Sequence, residues 1–378
     1  MIPENIEIIQ SGEANGNQWI IRLPLPSGRV IFGLATENIY GGDWDLGPTW
    51  NYLIQGEEGL ILIDTGRFGM GARLLEMLER AGLHGRDLTG ITLTHGHEDH
   101  DGGLAELVRK TGAPVWVHPL YDRLRRSYAG QEPNIAKRDF SASCWHCFMP
   151  ETFTQSQCRQ YHRERDGLET NLLKGRIFPP DTEIQLHHLP GHCPDSLAFQ
   201  IGSEALIIGD TLLPDITPHP SQEAFFTGVR DILPPADQRS PSVYGLRTYI
   251  RSLKKMQTLG RRFPRLTVLP AHRFYYNNRW GIIDAAQRSA EIIEHHRQRG
   301  LAIRTVLQPG PRTAEEIARE LFAPQLLKGL GIRMAVNEVR SHLELLVHSG
   351  DVYWPTEDRA AATGETGFED YIRRIEAD

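Results

Sequence analysis

Thr94-His95-Gly96-His97-Glu98-Asp99-His100 follows directly on the apolar run Gly90-Ile91-Thr92-Leu93, and the reading of the whole chain starts there. Imidazoles at 95, 97 and 100 and a carboxylate at 99 are costly to crowd together unless something binds them. A transition metal is the usual occupant of such a cluster. The β-branched and apolar residues Ile91 to Thr94 read as a short buried strand, after which Gly96 permits a tight turn. Alternate side chains of an extended segment point the same way, so His95, His97 and Asp99 are expected on one side and His100 elsewhere. A cluster split like this suits two adjacent ions better than one. Leu104-Ala105-Glu106-Leu107-Val108 then reads as a helix whose N-terminus faces the cluster. The zinc-protease pattern His-Glu-x-x-His does not apply, because His97-Glu98 is followed at once by Asp99-His100. A solvated loop with a chance excess of histidine is the plain alternative, but four ligand-type residues at fixed offsets rarely coincide.

Three later segments offer what the cluster still lacks. His192 sits in the turn Leu189-Pro190-Gly191-His192-Cys193-Pro194 after the strand-like Glu183-Ile184-Gln185-Leu186. Asp210 closes the apolar strand Ala205-Leu206-Ile207-Ile208-Gly209, and His272 closes Val268-Leu269-Pro270-Ala271. Each puts one ligand at a strand end, where a rigid scaffold aims loop residues into a cleft.

In this order the chain resembles the metallo-β-lactamase superfamily, whose signature is a His-x-His-x-Asp-His run, a turn histidine, a strand-end aspartate and a last histidine. His95, His97, Asp99, His100, His192, Asp210 and His272 match all of it. Upstream, Trp50-Asn51-Tyr52-Leu53-Ile54 and Leu60-Ile61-Leu62-Ile63-Asp64-Thr65-Gly66 look like the family's opening strands, so the likeness runs over about residues 20–300. It implies an α/β fold, the αββα sandwich, and two divalent ions, zinc first with manganese or iron as alternatives. One ion would be held by His95, His97 and His192, the other by Asp99, His100 and His272, with Asp210 between them. Asp64 would support the ligands from behind, as outer partners of imidazoles do. A metal-bridging hydroxide would attack an ester, thioester or lactone carbonyl, with Asp99 moving the proton. The di-iron redox members usually carry glutamate where this chain has His97, which favours hydrolysis. Two rivals stand beside it: a phosphodiesterase or ribonuclease on the same metals, and an iron-dependent persulfide dioxygenase, which relies on fewer ligands. Arg273, Tyr275 and Tyr276 follow the last ligand and are expected at the mouth of the site as substrate contacts, with Trp44, Trp50, His118 and His219 as weaker lining candidates.

Composition narrows the partners. The 378 residues are 40% hydrophobic, enough for a large core and a second domain, and the net charge of −7 speaks against a general nucleic-acid or membrane-surface binder. No apolar stretch approaches the roughly 20 residues that span a bilayer. Met1 to Glu7 lacks the basic-then-apolar pattern of a secretory signal, so a cytoplasmic protein acting on a small-molecule substrate is the expectation. Four cysteines in so long a chain are no disulfide framework, and Cys193 reads as a packed thiol.

The catalytic region is expected over residues 1–300, with a substrate-specific insertion at about 120–180. Within that insertion Cys144, Cys147, Cys158 and His162 have the spacing of a structural zinc knuckle; unpaired thiols on a lid are the alternative. Beyond the linker Gln308-Pro309-Gly310-Pro311, Thr313 and Glu316 form a capping box that opens a helix from Ala314 to Phe322. A second helix from Arg333 to His348 has an apolar stripe at Val336, Val339, Leu343, Leu346 and Val347, and Asp351-Val352-Tyr353-Trp354 reads as a wing. Residues 301–358 thus read as a small winged helix and 359–378 as a polar tail. Across 301–378, nine Lys and Arg face thirteen Asp and Glu, where phosphate contact wants the reverse. Packing, a homodimer contact or a pocket wall is the expected role.

Overall fold

A computed structural model describes residues 5–38, 46–56, 59–126, 155–329 and 331–376. Its first sheet runs in chain order through β1 (Glu7–Gln10), β2 (Ile20–Pro24), β3 (Val30–Thr36), β4 (Thr49–Gly56), β5 (Gly59–Ile63), β6 (Leu88–Thr92), β7 (Val115–Val117) and β8 (Asn171–Leu172). The second comprises β9 (Ile177–Phe178), β10 (Asp181–His188), β11 (Leu197–Ile201), β12 (Ala205–Gly209) and β13 (Thr267–Pro270). Helix α1 (Gly71–Arg80) is followed by α2 (Glu98–Asp101), α3 (Leu104–Thr111), α4 (Pro119–Arg125) and α5 (Gln155–Asp166). Then come α6 (Phe225–Val229), α7 (Gly245–Arg262) and α8 (Ala285–Val306).

The alternation along the central strands explains the layers. On β5, Leu60 and Leu62 pack with Leu74, Met77 and Leu78 of α1 and Leu104 and Leu107 of α3. Ile61 and Ile63 of the same strand turn the other way, into a core shared with Phe199, Ile207 and Leu269 of the second sheet. On β12, Ala205 and Ile207 face that inter-sheet core, while Leu206 and Ile208 pack against Leu253 and Met256 of α7 and Ile292 of α8. Helix, sheet, sheet and helix are therefore stacked in four layers. The echo between 60–65 and 205–211 has a structural counterpart. β5 pairs parallel to β6 across a crossover containing α1, and β12 pairs parallel to β13 across one containing α7.

Three expectations need correction. Residues 98–101 form a helical turn, so the extended alternation stops at His97 and Asp99 does not share a side with it. That turn also separates the cluster from α3. The expected boundary at 300 falls inside the continuous α8, whose Ile292 and Ile303 belong to one core with Ile317, Leu343, Leu346 and Phe368. That core takes in α9 (Ala314–Leu321), α10 (Gly331–His348) and α11 (Phe368–Arg374). Finally, residues 359–376 are no polar tail. Arg359–Ala362 is a strand pairing with both Arg312–Thr313 and Val352–Tyr353, and Phe368 of α11 is completely buried. Phe368 fits because α8 carries Gly300 beneath it; a Cβ there would meet the ring at 2.2 Å. The capping box is present, with the Glu316 amide donating to Thr313 Oγ1 at 3.1 Å and the Thr313 amide to Glu316 Oε2 at 2.7 Å.

Candidate metal centre

Four strand ends at the same edge of the sandwich carry the candidate ligands, and the helical turn after His97 carries Asp99 and His100. β6 runs into His95, β10 into His192, β12 into Asp210 and β13 into His272. Backbone bonds between these ends fix their spacing. The Leu197 amide donates to the Thr94 carbonyl at 2.7 Å, and the Ala271 amide to the Gly209 carbonyl at 3.1 Å. Gly191, at φ 128°, lets the turn before His192 lie against α7, where a Cβ would meet the Tyr249 backbone at 2.3 Å.

Two groups of side chains result. Ligand atoms of His95, His97, His192 and Asp210 all lie within 4.8 Å of one another, and so do those of Asp99, His100 and His272. His97 Nδ1 stands 3.0 Å from His95 Nε2 and 3.2 Å from His192 Nε2. Asp210 lies between the groups. Its Oδ2 is 3.9 Å from His95 Nε2, 3.5 Å from His192 Nε2 and 3.6 Å from His100 Nε2, while Oδ1 is 3.5 Å from His272 Nε2. Asp99 Oδ2 is 3.2 Å from His272 Nε2 and accepts from Asn38 Nδ2 at 3.0 Å.

The outward-facing nitrogens decide which ring atoms are bare. His192 Nδ1 donates to the His219 carbonyl at 2.6 Å, His272 Nδ1 to the Pro48 carbonyl at 3.0 Å, and His100 Nδ1 to Asp64 Oδ2 at 2.9 Å. With those protons committed, the Nε2 lone pairs of all three rings point inward. His100 Nε2, His272 Nε2 and Asp210 Oδ1 are buried and make no hydrogen bond. Buried polar atoms are ordinarily satisfied, and converging lone pairs repel unless a cation sits among them. The donor set, imidazole and carboxylate, suits zinc and related divalent ions. The cluster fits a metal site.

Electrostatics agree. Burial pushes the His95 and His97 imidazoles well below their ordinary range, which keeps them neutral ligands. Burial alone would raise the Asp99 and Asp210 carboxyls, but His100 and His272 more than reverse it. The carboxylates in turn raise both of these imidazoles above their ordinary range, so a positive charge is favoured where the four groups meet.

Asp64 sits behind His100 as the family likeness implies. Besides His100 Nδ1 it takes the Thr94 amide at 2.7 Å and the Thr94 hydroxyl at 2.8 Å. Trp50 is fully buried in the inter-sheet core, edge-on to Phe274 at 5.5 Å. His118 caps α4, its Nδ1 accepting from the Leu120 amide at 3.2 Å. Tyr275 packs its ring on Trp19 at 4.2 Å and on Trp280 at 5.0 Å. Arg273 lies over the Tyr276 ring at 4.0 Å and pairs with Asp215 at 3.2 Å. Cys193 is buried, its thiol donating to Asp195 at 2.8 Å. Cys158 and His162 are buried on α5, whereas Trp44, Cys144 and Cys147 lie outside the described residues. Sequence reasoning missed the carbonyls of Pro48 and His219, and also Asn38; a backbone carbonyl has no residue signature.

Comparison with known proteins bears on this geometry. The family model described as Metallo-beta-lactamase superfamily matches residues 44–272. Exodeoxyribonuclease YycJ of Bacillus anthracis is 34% identical over 96 residues, 25% of this chain and 36% of that protein. Hydroxyacylglutathione hydrolase GloC of Haemophilus influenzae is 28% identical over 144 residues, 38% of this chain and 56% of that protein. The matches thus span less than two thirds of either relative. A metallo-beta-lactamase family protein from Thermus thermophilus aligns with a TM-score of 0.64 at 23% identity, covering 88% of this chain and 98% of its own, and bears on the fold alone.

Proposed function

Because the chain belongs to the metallo-β-lactamase superfamily, we propose that it is a metal-dependent hydrolase that cleaves a small ester, thioester or lactone on two divalent ions, zinc in the first instance. The observation that carries this reading is the pair of ligand groups with Asp210 between them. When bound, such ions supply Lewis acidity and a water acidified toward neutral pH. His95, His97 and His192 would hold one of them, Asp99, His100 and His272 the other, with Asp210 common to both. The imidazole at His97, where the redox members carry glutamate, supports hydrolysis over oxygen chemistry. Asn38 and His272 orient the Asp99 carboxylate, which would take and return the proton during turnover. Asp64 turns the His100 ring so that Nε2 faces inward.

Arg273 and Tyr276, stacked beyond the last ligand, are the proposed contacts for an anionic or carbonyl group of the substrate; Tyr275 is committed to packing. Residues 312–362, with two helices and three short strands, are read as a winged helix that serves as a wall and packing element. The nuclease reading draws on the name of one relative and is opposed by the acidic balance of residues 301–378.

One experiment separates the readings. The purified protein is stripped with chelator, reloaded with zinc, and offered a panel of acyl thioesters, esters and lactones beside single-stranded RNA and DNA, with oxygen uptake followed throughout. Zinc-restored acyl hydrolysis is the expected result. Efficient nucleic-acid cleavage without acyl hydrolysis, or oxygen consumption that needs iron, would overturn it.

A further inference from the structure

His192 is anchored by a loop that the C-terminal part grips from the far side. Besides the bond from His192 Nδ1 to the His219 carbonyl, the Gly191 carbonyl accepts from the Ser221 amide at 2.7 Å and from the Ser221 hydroxyl at 2.8 Å. Residues 219–224 therefore fix both the backbone before His192 and the tautomer of its ring.

One face of α10 holds that loop in turn. Asn337 Nδ2 donates to His219 Nε2, and Asn337 Oδ1 accepts from Gln222 Nε2. The Ser341 hydroxyl lies 3.3 Å from the Pro220 carbonyl and 3.2 Å from that of Ser221, as well as 3.0 Å from the Asn337 carbonyl of its own helix. The Glu344 carboxylate accepts from the amides of Glu223 at 2.8 Å and Ala224 at 3.0 Å. Positions 337, 341 and 344 are spaced four and three apart and so form one stripe of the helix. Asn337 and Ser341 are buried. A buried amide or hydroxyl is unfavourable unless it is bonded, and the partners here all belong to the loop behind His192 or to the helix itself.

We propose that α10 is a positioning element for His192, with Asn337 and Ser341 as its positioning residues. They set the loop whose carbonyl takes the Nδ1 proton and so keep Nε2 bare and aimed at the ion. This rests on the reading of His192 as a metal ligand and extends it by giving the C-terminal part a task that needs no nucleic acid. Loss of an outer partner of a metal-bound histidine typically weakens the metal about tenfold to a hundredfold.

The test uses the full chain with three substitutions, Asn337→Ala, Ser341→Ala and, as a control at an exposed position of the same helix, Arg340→Ala. Each protein is titrated with zinc against a chromophoric chelator, and the cobalt-loaded form is examined for its visible absorption. The expected result is two zinc ions in the parent, with one of them weakened at least tenfold by Asn337→Ala and severalfold by Ser341→Ala. The cobalt bands should shift in both variants, while Arg340→Ala behaves as the parent. Melting curves accompany each titration, and if Asn337→Ala unfolds early the comparison rests on the milder Ser341→Ala. Parent-like zinc affinity and cobalt bands in Ser341→Ala and in any folded Asn337→Ala would overturn the proposal, as would an equal loss in Arg340→Ala. A parent protein that takes up no zinc would instead overturn the metal reading beneath it.

Discussion

Asp64 takes a left-handed backbone at φ 65°, a conformation few residues other than glycine adopt, and from it one carboxylate serves three partners. Such strain, on the order of 1–3 kcal/mol, persists where the surroundings over-determine it. Asp64→Asn keeps a residue type that tolerates this backbone but leaves only one acceptor oxygen for Thr94 and His100. Zinc affinity measured by chelator competition should fall about tenfold to a hundredfold; an unchanged affinity would mean that Asp64 only holds the chain. At this scale the sequence was informative for side chains and blind to the main chain. The seven His and Asp positions stood out by type and order, whereas the carbonyls that orient His192 and His272 belong to His219 and Pro48, whose side chains do not make those bonds. Strand alternation misplaces Asp99 because a single helical turn, Glu98–Asp101, carries no apolar period by which to recognise it.

Among the elements, α10 and α11 show where pattern reading stops. Helical periodicity located α10, but Val336 and Val347, expected in its stripe, are half-buried, while the polar Asn337, Ser341 and His342 are buried. A polar residue that faces a loop looks in sequence like one that faces water. In α11 and just beyond, Phe368, Ile372 and Ile375 have helical spacing among charges, a signal too short to outweigh the polar composition around it. Two predictions follow from these packings. Gly300→Ala improves helix propensity by about 1 kcal/mol, yet it should destabilise the protein by about 1–3 kcal/mol in denaturant unfolding, because the new Cβ meets Phe368. A stabilised variant would mean that α11 does not dock there. His348, at the end of α10, pairs with Glu223 at 2.7 Å, and that bond raises its pKa above the ordinary value. The folded imidazole therefore holds its proton more tightly than the unfolded one. The resulting stability is fully present below about pH 6.5 and is lost as pH rises through the folded value. His348→Ala should accordingly lower the melting temperature at pH 6 and leave it nearly unchanged at pH 9, by an amount typical of a partly exposed pair, under about 1 kcal/mol. Equal effects at both pH values would remove the pair from the account.

For the molecule as a whole, the sandwich places four strand ends at one rim, and apolar cores fill the spaces between its layers. Strand-end ligands and apolar runs carried the family likeness, and it is that likeness which implied the architecture. The sharing of one core between α7, α8 and the C-terminal elements was not legible in advance, since sequence separates what packing joins. Among the described residues no helix is long and apolar enough to cross a membrane. Rigidity of the rim depends on the inter-sheet core, so Ile207→Ala there should cost about 2–5 kcal/mol in denaturant unfolding; a loss below about 1 kcal/mol would show that the sheets are not packed through that strand. The central claim is that two ions share one carboxylate. Its most direct measurement is an anomalous difference map from zinc-loaded crystals, recorded on both sides of the zinc absorption edge. The account predicts two peaks, one against His95, His97 and His192 and one against Asp99, His100 and His272, with Asp210 reaching both. A map with no peak at these residues, or with a single ion that Asp210 does not touch, would contradict it.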